Sequence, residues 1–160
     1  MRMNAGRQDG SSEISSRPRV RRAAERGWKT LKPKLLIVDD DTAIRQQLYW
    51  TLCDEYDVLT ASDLPSAMRH ATNFEPVISI LDLHMPPVLD SPEVGLCILD
   101  YLKEQCPASK VFIVSSEESI ETRKACFAAG ADGFLSKPLD VEQLLATVRH
   151  STLAARLEAA

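Results

Sequence analysis

From Lys34 onward, short apolar runs alternate with longer stretches of helical period. The runs lie at about 34–39, 56–60, 77–81, 110–114 and 132–136, each of strand length. Between the first two runs, Ile44, Leu48 and Leu52 recur at helical spacing behind Asp41 or Thr42 as N-cap. A second helix starts near Ser62 or Asp63, tolerates Pro65 in its first turn and stops before Pro76. The third runs from about Val94 to Gln105, before Pro107, and the fourth over roughly 118–129, with Gly130 suited to the position just past its end. The last begins at Asp140 and sets Val141, Leu144, Leu145 and Val148 on one buried face. A segment holding Pro86, Pro87 and Pro92 admits no regular structure and reads as a loop. Five strands alternating with five helices predict a three-layer, doubly wound α/β domain around a parallel sheet. Runs one, three and four are apolar throughout, as central strands buried on both faces must be.

Composition adds an asymmetry. The formal net charge is −4, yet residues 1–34 carry ten Lys/Arg against three Asp/Glu, and the remainder nine against twenty. Residues 1–33 are rich in Arg, Ser and Gly and lack any sustained period, which predicts a basic, disordered extension. Such an arm reads as a solvated tail, or as a contact for an acidic partner, nucleic acid or an anionic membrane surface. Its Arg- and Ser-rich, acid-poor composition also loosely matches an organellar transit peptide. The domain proper is then 34–150, and 151–160 extends the last helix or begins a linker. No apolar stretch approaches the roughly 18 residues of a membrane span, and no apolar segment follows the basic residues as in a secretory signal. Cys53, Cys97, Cys106 and Cys126 form no C-x-x-C pair and read as reduced, structural thiols of a cytoplasmic protein. Trp50 reads as packing at a helix border.

The chemistry sits where the apolar runs end. Leu35–Val38 leads into Asp39 and Asp40, Val77–Leu81 into Asp82, and Val111–Val114 into Ser115, while Phe134–Leu135 leads through Ser136 to Lys137. Singly, each has a plain structural explanation: Asp41 is a helix cap, Ser115 suits another, and Lys137 suits a solvated side chain. In a parallel sheet, however, all carboxyl ends share one edge, where open α/β sheets bind ligands. Three carboxylates crowded there repel one another unless a cation neutralises them. Oxygen-only ligands select a hard ion such as Mg²⁺ (or Mn²⁺), which keeps waters and a phosphate oxygen in its shell. A carboxylate beside that ion can act as a nucleophile toward phosphorus, with the Lys137 ammonium and the Ser115 hydroxyl meeting the remaining phosphoryl oxygens.

The blocks KPKLLIVDDDTAIRQQL, ISILDLHMPP, VFIVSS and AGADGFLSKPLD together resemble the receiver domain of two-component response regulators over about 34–150. The resemblance implies a flavodoxin-like fold with strand order 2-1-3-4-5. It implies Asp82 as phosphoacceptor and Asp39, Asp40, Asp82 and the backbone carbonyl of His84 as Mg²⁺ ligands. Lys137 matches the family's lysine, Ser115 and Phe134 its switch pair, and His84 and Glu117 its modulators of dephosphorylation. A cis peptide bond before Pro138 is implied as well. A histidine kinase or phosphotransfer protein would supply the phosphoryl group. The face of helix four, strand five and helix five would then control a partner or an output domain, or form a phosphorylation-dependent homodimer. Such a domain is no enzyme beyond its own phosphorylation and autodephosphorylation, and nucleic acid would not be bound by the receiver itself.

Three features depart from the family pattern. VLDSPEV intervenes between the Pro pair and Gly95, lengthening the loop beside Asp82. This combination resembles receivers that precede a transcription-activating ATPase domain. His84 follows Asp82 by two residues and reads as a solvent-exposed loop histidine. Phe134 stands where Tyr is common and has no hydroxyl, and Gly133 falls where dimerising relatives often carry an acidic residue. Two rivals remain. DDDTA approaches the motif of haloacid-dehalogenase-like phosphatases, but those need a later acidic pair, and here only Asp140, Glu142 and Glu158 follow Lys137. The other is a pseudo-receiver that works without phosphorylation.

Overall fold

The structure, a computed structural model, describes residues 31–117 and 119–158. The elements run β1 (Lys34–Val38), α1 (Thr42–Leu52), β2 (Asp57–Ala61), α2 (Leu64–Phe74), β3 (Ile78–Asp82), α3 (Glu93–Gln105), β4 (Lys110–Ser115), α4 (Ile120–Ala128), β5 (Gly133–Ser136) and α5 (Val141–Glu158). The five strands form one sheet in the order β2-β1-β3-β4-β5, and every neighbouring pair is parallel. Because all strands point the same way, the carboxyl ends of β1, β3, β4 and β5 open onto a single edge.

Side-chain alternation along the central strands divides the core in two. Leu36, Val38, Leu81, Val111 and Ile113 face Ala67 and Ala71 of α2, Ile98, Leu99 and Leu102 of α3, and Cys126 of α4. Leu35, Ile37, Ile78, Ile80, Phe112 and Val114 face Leu48 and Leu52 of α1 and Leu144 and Val148 of α5. Full burial of one such side chain contributes about 1.5–3 kcal/mol, so the stacked strands form the rigid part that fixes their ends. The expectation of strands buried on both faces is met.

Helix starts follow the cap chemistry. Asp41 accepts from the backbone N–H groups of Ala43 and Ile44, and Asp63 from that of Ser66. Asp140 accepts from those of Glu142 and Gln143. The cap of α4 is Ser119, so that helix starts two residues later than its periodicity implies. Gly130 follows the C-cap of α4 with φ +100°, in the left-handed region that glycine tolerates best. The peptide bonds Lys137–Pro138 and Pro86–Pro87 are cis.

Several expectations need correction. Trp50 does not pack at a border but is 73% exposed, meeting Tyr49 edge-on. Val141 lies at the first turn of α5, outside its buried stripe. Of the four cysteines, all unbonded, only Cys126 is buried, and Cys97 is exposed because it sits on the outer face of α3. The basic extension lies outside the described residues up to residue 30.

Candidate functional site at the carboxyl edge

Asp39 follows β1 directly, Asp82 ends β3, and Lys137 follows β5, so three strands deliver one cluster. Lys137 Nζ donates to Asp39 Oδ2 at 3.1 Å and to Asp82 Oδ2 at 3.2 Å. The second oxygen of each carboxylate is held by backbone: the Asp41 N–H donates to Asp39 Oδ1 at 2.9 Å, and the His84 N–H to Asp82 Oδ1 at 3.2 Å. Asp39 and Asp82 are buried, while Asp40 is the member nearest solvent. One oxygen from each of the three carboxylates falls within 4.8 Å of the others.

Burial raises the Asp39 carboxyl above its usual range, an effect compounded by the Asp82 charge and opposed by the Asp41 N–H and Lys137. Burial alone would lower the Lys137 ammonium, but the Asp82 and Asp39 charges outweigh it and hold the group above its usual value. Lys137 therefore stays protonated, and its single positive charge faces three carboxylates. This oxygen-only, charge-deficient donor set fits a hard divalent cation such as Mg²⁺.

Ser115 closes β4, fully buried, with Oγ accepting from the Glu117 N–H at 3.0 Å. Its backbone carbonyl accepts from the Lys137 N–H at 2.9 Å, which ties β4 to the lysine. Phe134, opposite Ile113 in register, is half-buried against the α2–α3–α4 side of the core. His84 is not the free loop side chain expected. Its Nδ1 lies 2.8 Å from the Leu89 carbonyl of the lengthened loop, and its Nε2 lies 3.6 Å from Glu117 Oε2. A shallow cavity is lined by His84, Leu89, Asp90, Ser116 and Glu117.

The sequence reading missed Arg45 and the packing role of Gly95. Arg45 donates from Nη1 to the carbonyls of Asp39 and Asp40, at 2.7 and 2.9 Å, bracing the backbone of the acidic pair. Gly95 brings the start of α3 against the residue after Asp82: a Cβ there would lie 2.4 Å from Leu83 Cα. Carbonyl acceptors leave no trace in residue identity, so nothing in the pattern pointed to Arg45. For Gly95 the available signal was a glycine near the start of a helix.

The chain is similar to known proteins in sequence and in fold. Residues 35–149 match the family model described as the response regulator receiver domain. The transcriptional regulatory protein PrrA of Mycobacterium leprae is 35% identical over 118 residues, covering 73% of this chain and 48% of the relative. The chain thus spans about half the length of the curated relatives it matches. Among solved structures, a CheY-like receiver domain protein from Methanospirillum hungatei superposes with a TM-score of 0.74 at 25% identity, covering 80% of this chain and 99% of that one. The chemotaxis protein CheY4 of Vibrio cholerae does so with a TM-score of 0.68 at 31% identity, covering 76% and 99%. The chain belongs to the response regulator receiver domain family.

Proposed function

We propose that Asp82 is the phosphoacceptor of this receiver. The observation that carries the reading is the double contact of Lys137, which joins Asp39 and Asp82 from strands far apart in sequence. An Asp82 carboxylate oxygen attacks the phosphorus of a phosphohistidine on a histidine kinase or phosphotransfer protein. The new O–P bond forms as the P–N bond breaks, and the imidazole leaves with the bonding pair. The Asp39 and Asp40 carboxylates, Asp82 itself and the His84 carbonyl would hold Mg²⁺ or Mn²⁺. That ion, when bound, neutralises charge on the phosphoryl oxygens. Lys137 meets a further phosphoryl oxygen and orients Asp82 through its existing contact. The Ser115 hydroxyl turns from the Glu117 N–H toward the new group, and Phe134 follows it inward. His84 and Glu117, facing one another beside Asp82, govern access of the water that hydrolyses the acyl phosphate.

Phosphorylation then biases a two-state surface formed by α4, β5 and α5. The output is a partner protein, a homodimer or an output domain outside these residues. The relatives named as transcriptional regulators support regulation of transcription as the downstream effect. Among the described residues, no helix is long and apolar enough to cross a membrane; the relatives named as transcriptional regulators support a cytoplasmic site of action. Residues 34–150 act as the receiver unit, and the residues beyond them extend α5 or begin a linker.

Intact-mass measurement with a small acyl-phosphate donor and Mg²⁺ tests this reading. The wild type gains one phosphoryl group, and Asp82→Asn gains none. No gain in the wild type would favour the pseudo-receiver, and equal gain in both would move the acceptor elsewhere. Steady turnover of free phosphate esters with no trapped protein adduct would restore the phosphatase.

A further inference from the structure

Phe134 has no hydroxyl, so a cation can be held only by the negative face of its ring. The Arg123 guanidinium occupies that face, with Cζ 4.7 Å from the ring centroid, well within cation–π range. Arg123 is also joined to the phosphoacceptor edge by an unbroken series of hydrogen bonds. Ser115 Oγ accepts from the Glu117 N–H at 3.0 Å, and Glu117 Oε1 accepts from the Ser119 N–H at 3.2 Å. Ser119, the cap of α4, accepts on Oγ from the Thr122 N–H, and its carbonyl accepts from the Arg123 N–H at 3.1 Å. The hydroxyl at the site and the aromatic on β5 are thus connected through the first turn of α4 as well as through the sheet.

We propose that Arg123 is a positioning residue that couples Ser115 to Phe134, and that its stack on the ring favours the state in which Ser115 bonds its own loop. This rests on Asp82 being the phosphoacceptor. When Ser115 Oγ turns toward a group on Asp82, the Glu117 N–H loses its acceptor, and the loop that starts α4 is released. When Phe134 moves inward, its ring leaves the guanidinium. Both events work against the contacts present here, so Arg123 holds the receiver back. A chain of contacts alone does not establish coupling; a mutant cycle does.

The test measures beryllofluoride binding, as a phosphoryl mimic at Asp82, in the presence of Mg²⁺. Arg123→Gln, Arg123→Lys and wild type are compared, each with Phe134 and with Phe134→Leu. Arg123→Gln binds about 2–5-fold tighter than wild type while Phe134 is present, as an exposed cation–π contact allows. Arg123→Lys, which retains a cation, stays near wild type. In the Phe134→Leu background the preference at position 123 disappears. Equal affinity of wild type and Arg123→Gln overturns the proposal, as does a gain that persists in Phe134→Leu. If the wild type binds no beryllofluoride, the assignment of Asp82 fails and the proposal fails with it. If the wild type binds but position 123 has no influence, only the role of Arg123 fails.

Discussion

Asp39 shows how much the site costs the folded chain before a cation binds. Its carboxyl is pushed up chiefly by burial. A folded-state value above the unfolded one means that ionising Asp39 is harder in the native protein. Its favourable contribution is therefore present below the ordinary carboxylate range and is lost as pH rises through the raised value. Asp39→Asn should accordingly raise the melting temperature of the metal-free protein near neutral pH. It should also remove most of the further rise that Mg²⁺ gives the wild type. Melting curves with chelator and with Mg²⁺ check both; a destabilised variant with full Mg²⁺ response would contradict this account of the carboxylates. At this scale Asp39, Asp40, Asp82, Ser115 and Lys137 were legible because each ends or follows an apolar run, and the parallel sheet does the rest. Arg45 and the Leu89 carbonyl were not, since they act through backbone oxygens that every residue carries.

Among the elements, α3 bears most directly on the site. Its start lies so close to β3 that the Gly95 N–H donates to the Leu83 carbonyl at 3.2 Å. A Cβ at Gly95 would meet three backbone atoms of Leu83 within 2.8 Å, and backbone cannot turn aside as a flexible side chain can. Gly95→Ala should therefore destabilise the domain by about 1–3 kcal/mol, the usual range for overpacking. Because the displaced residue adjoins Asp82, the variant should also accept phosphoryl groups more slowly. Denaturant titration and a phosphorylation time course check the two effects; a wild-type rate would mean that the 83–85 segment tolerates the shift. Helix starts at Asp41 and Asp63 were legible from cap chemistry. The start of α4 was not, because Ser115, Glu117 and Ser119 form local hydrogen bonds ahead of the helix. The lengthened loop announced its presence by its prolines but not its contact with His84.

Across residues 34–158 the sheet has two packed faces, one of them covered jointly by α1 and α5. Arg149 of α5 donates from Nε to Glu55 Oε2 at 2.9 Å, clipping that helix to the connection after α1. The hydrogen bond from Arg149 holds the Glu55 carboxyl below its usual range despite some burial. A depressed folded value stabilises the fold above the ordinary carboxylate range, and the benefit is lost as pH falls through the depressed value. The pair is solvent-exposed, so the effect is small and screened by salt. Glu55→Gln should melt slightly below wild type at neutral pH, with the gap closing in acid and in high salt. A gap that is constant with pH would assign the loss to packing instead. The doubly wound architecture was legible because strand and helical periods alternate from Lys34 to the last helix. The placement of Trp50 was not, since an aromatic on a helix edge carries no sign of whether anything covers it. The central claim remains that one carboxylate, Asp82, takes the phosphoryl group. Borohydride reduction of protein treated with donor and Mg²⁺, followed by peptide mapping, tests it most directly, because an acyl phosphate on aspartate is reduced to homoserine. The account predicts that product at position 82 alone; its appearance at Asp39 or Asp40, or at no aspartate, would contradict it.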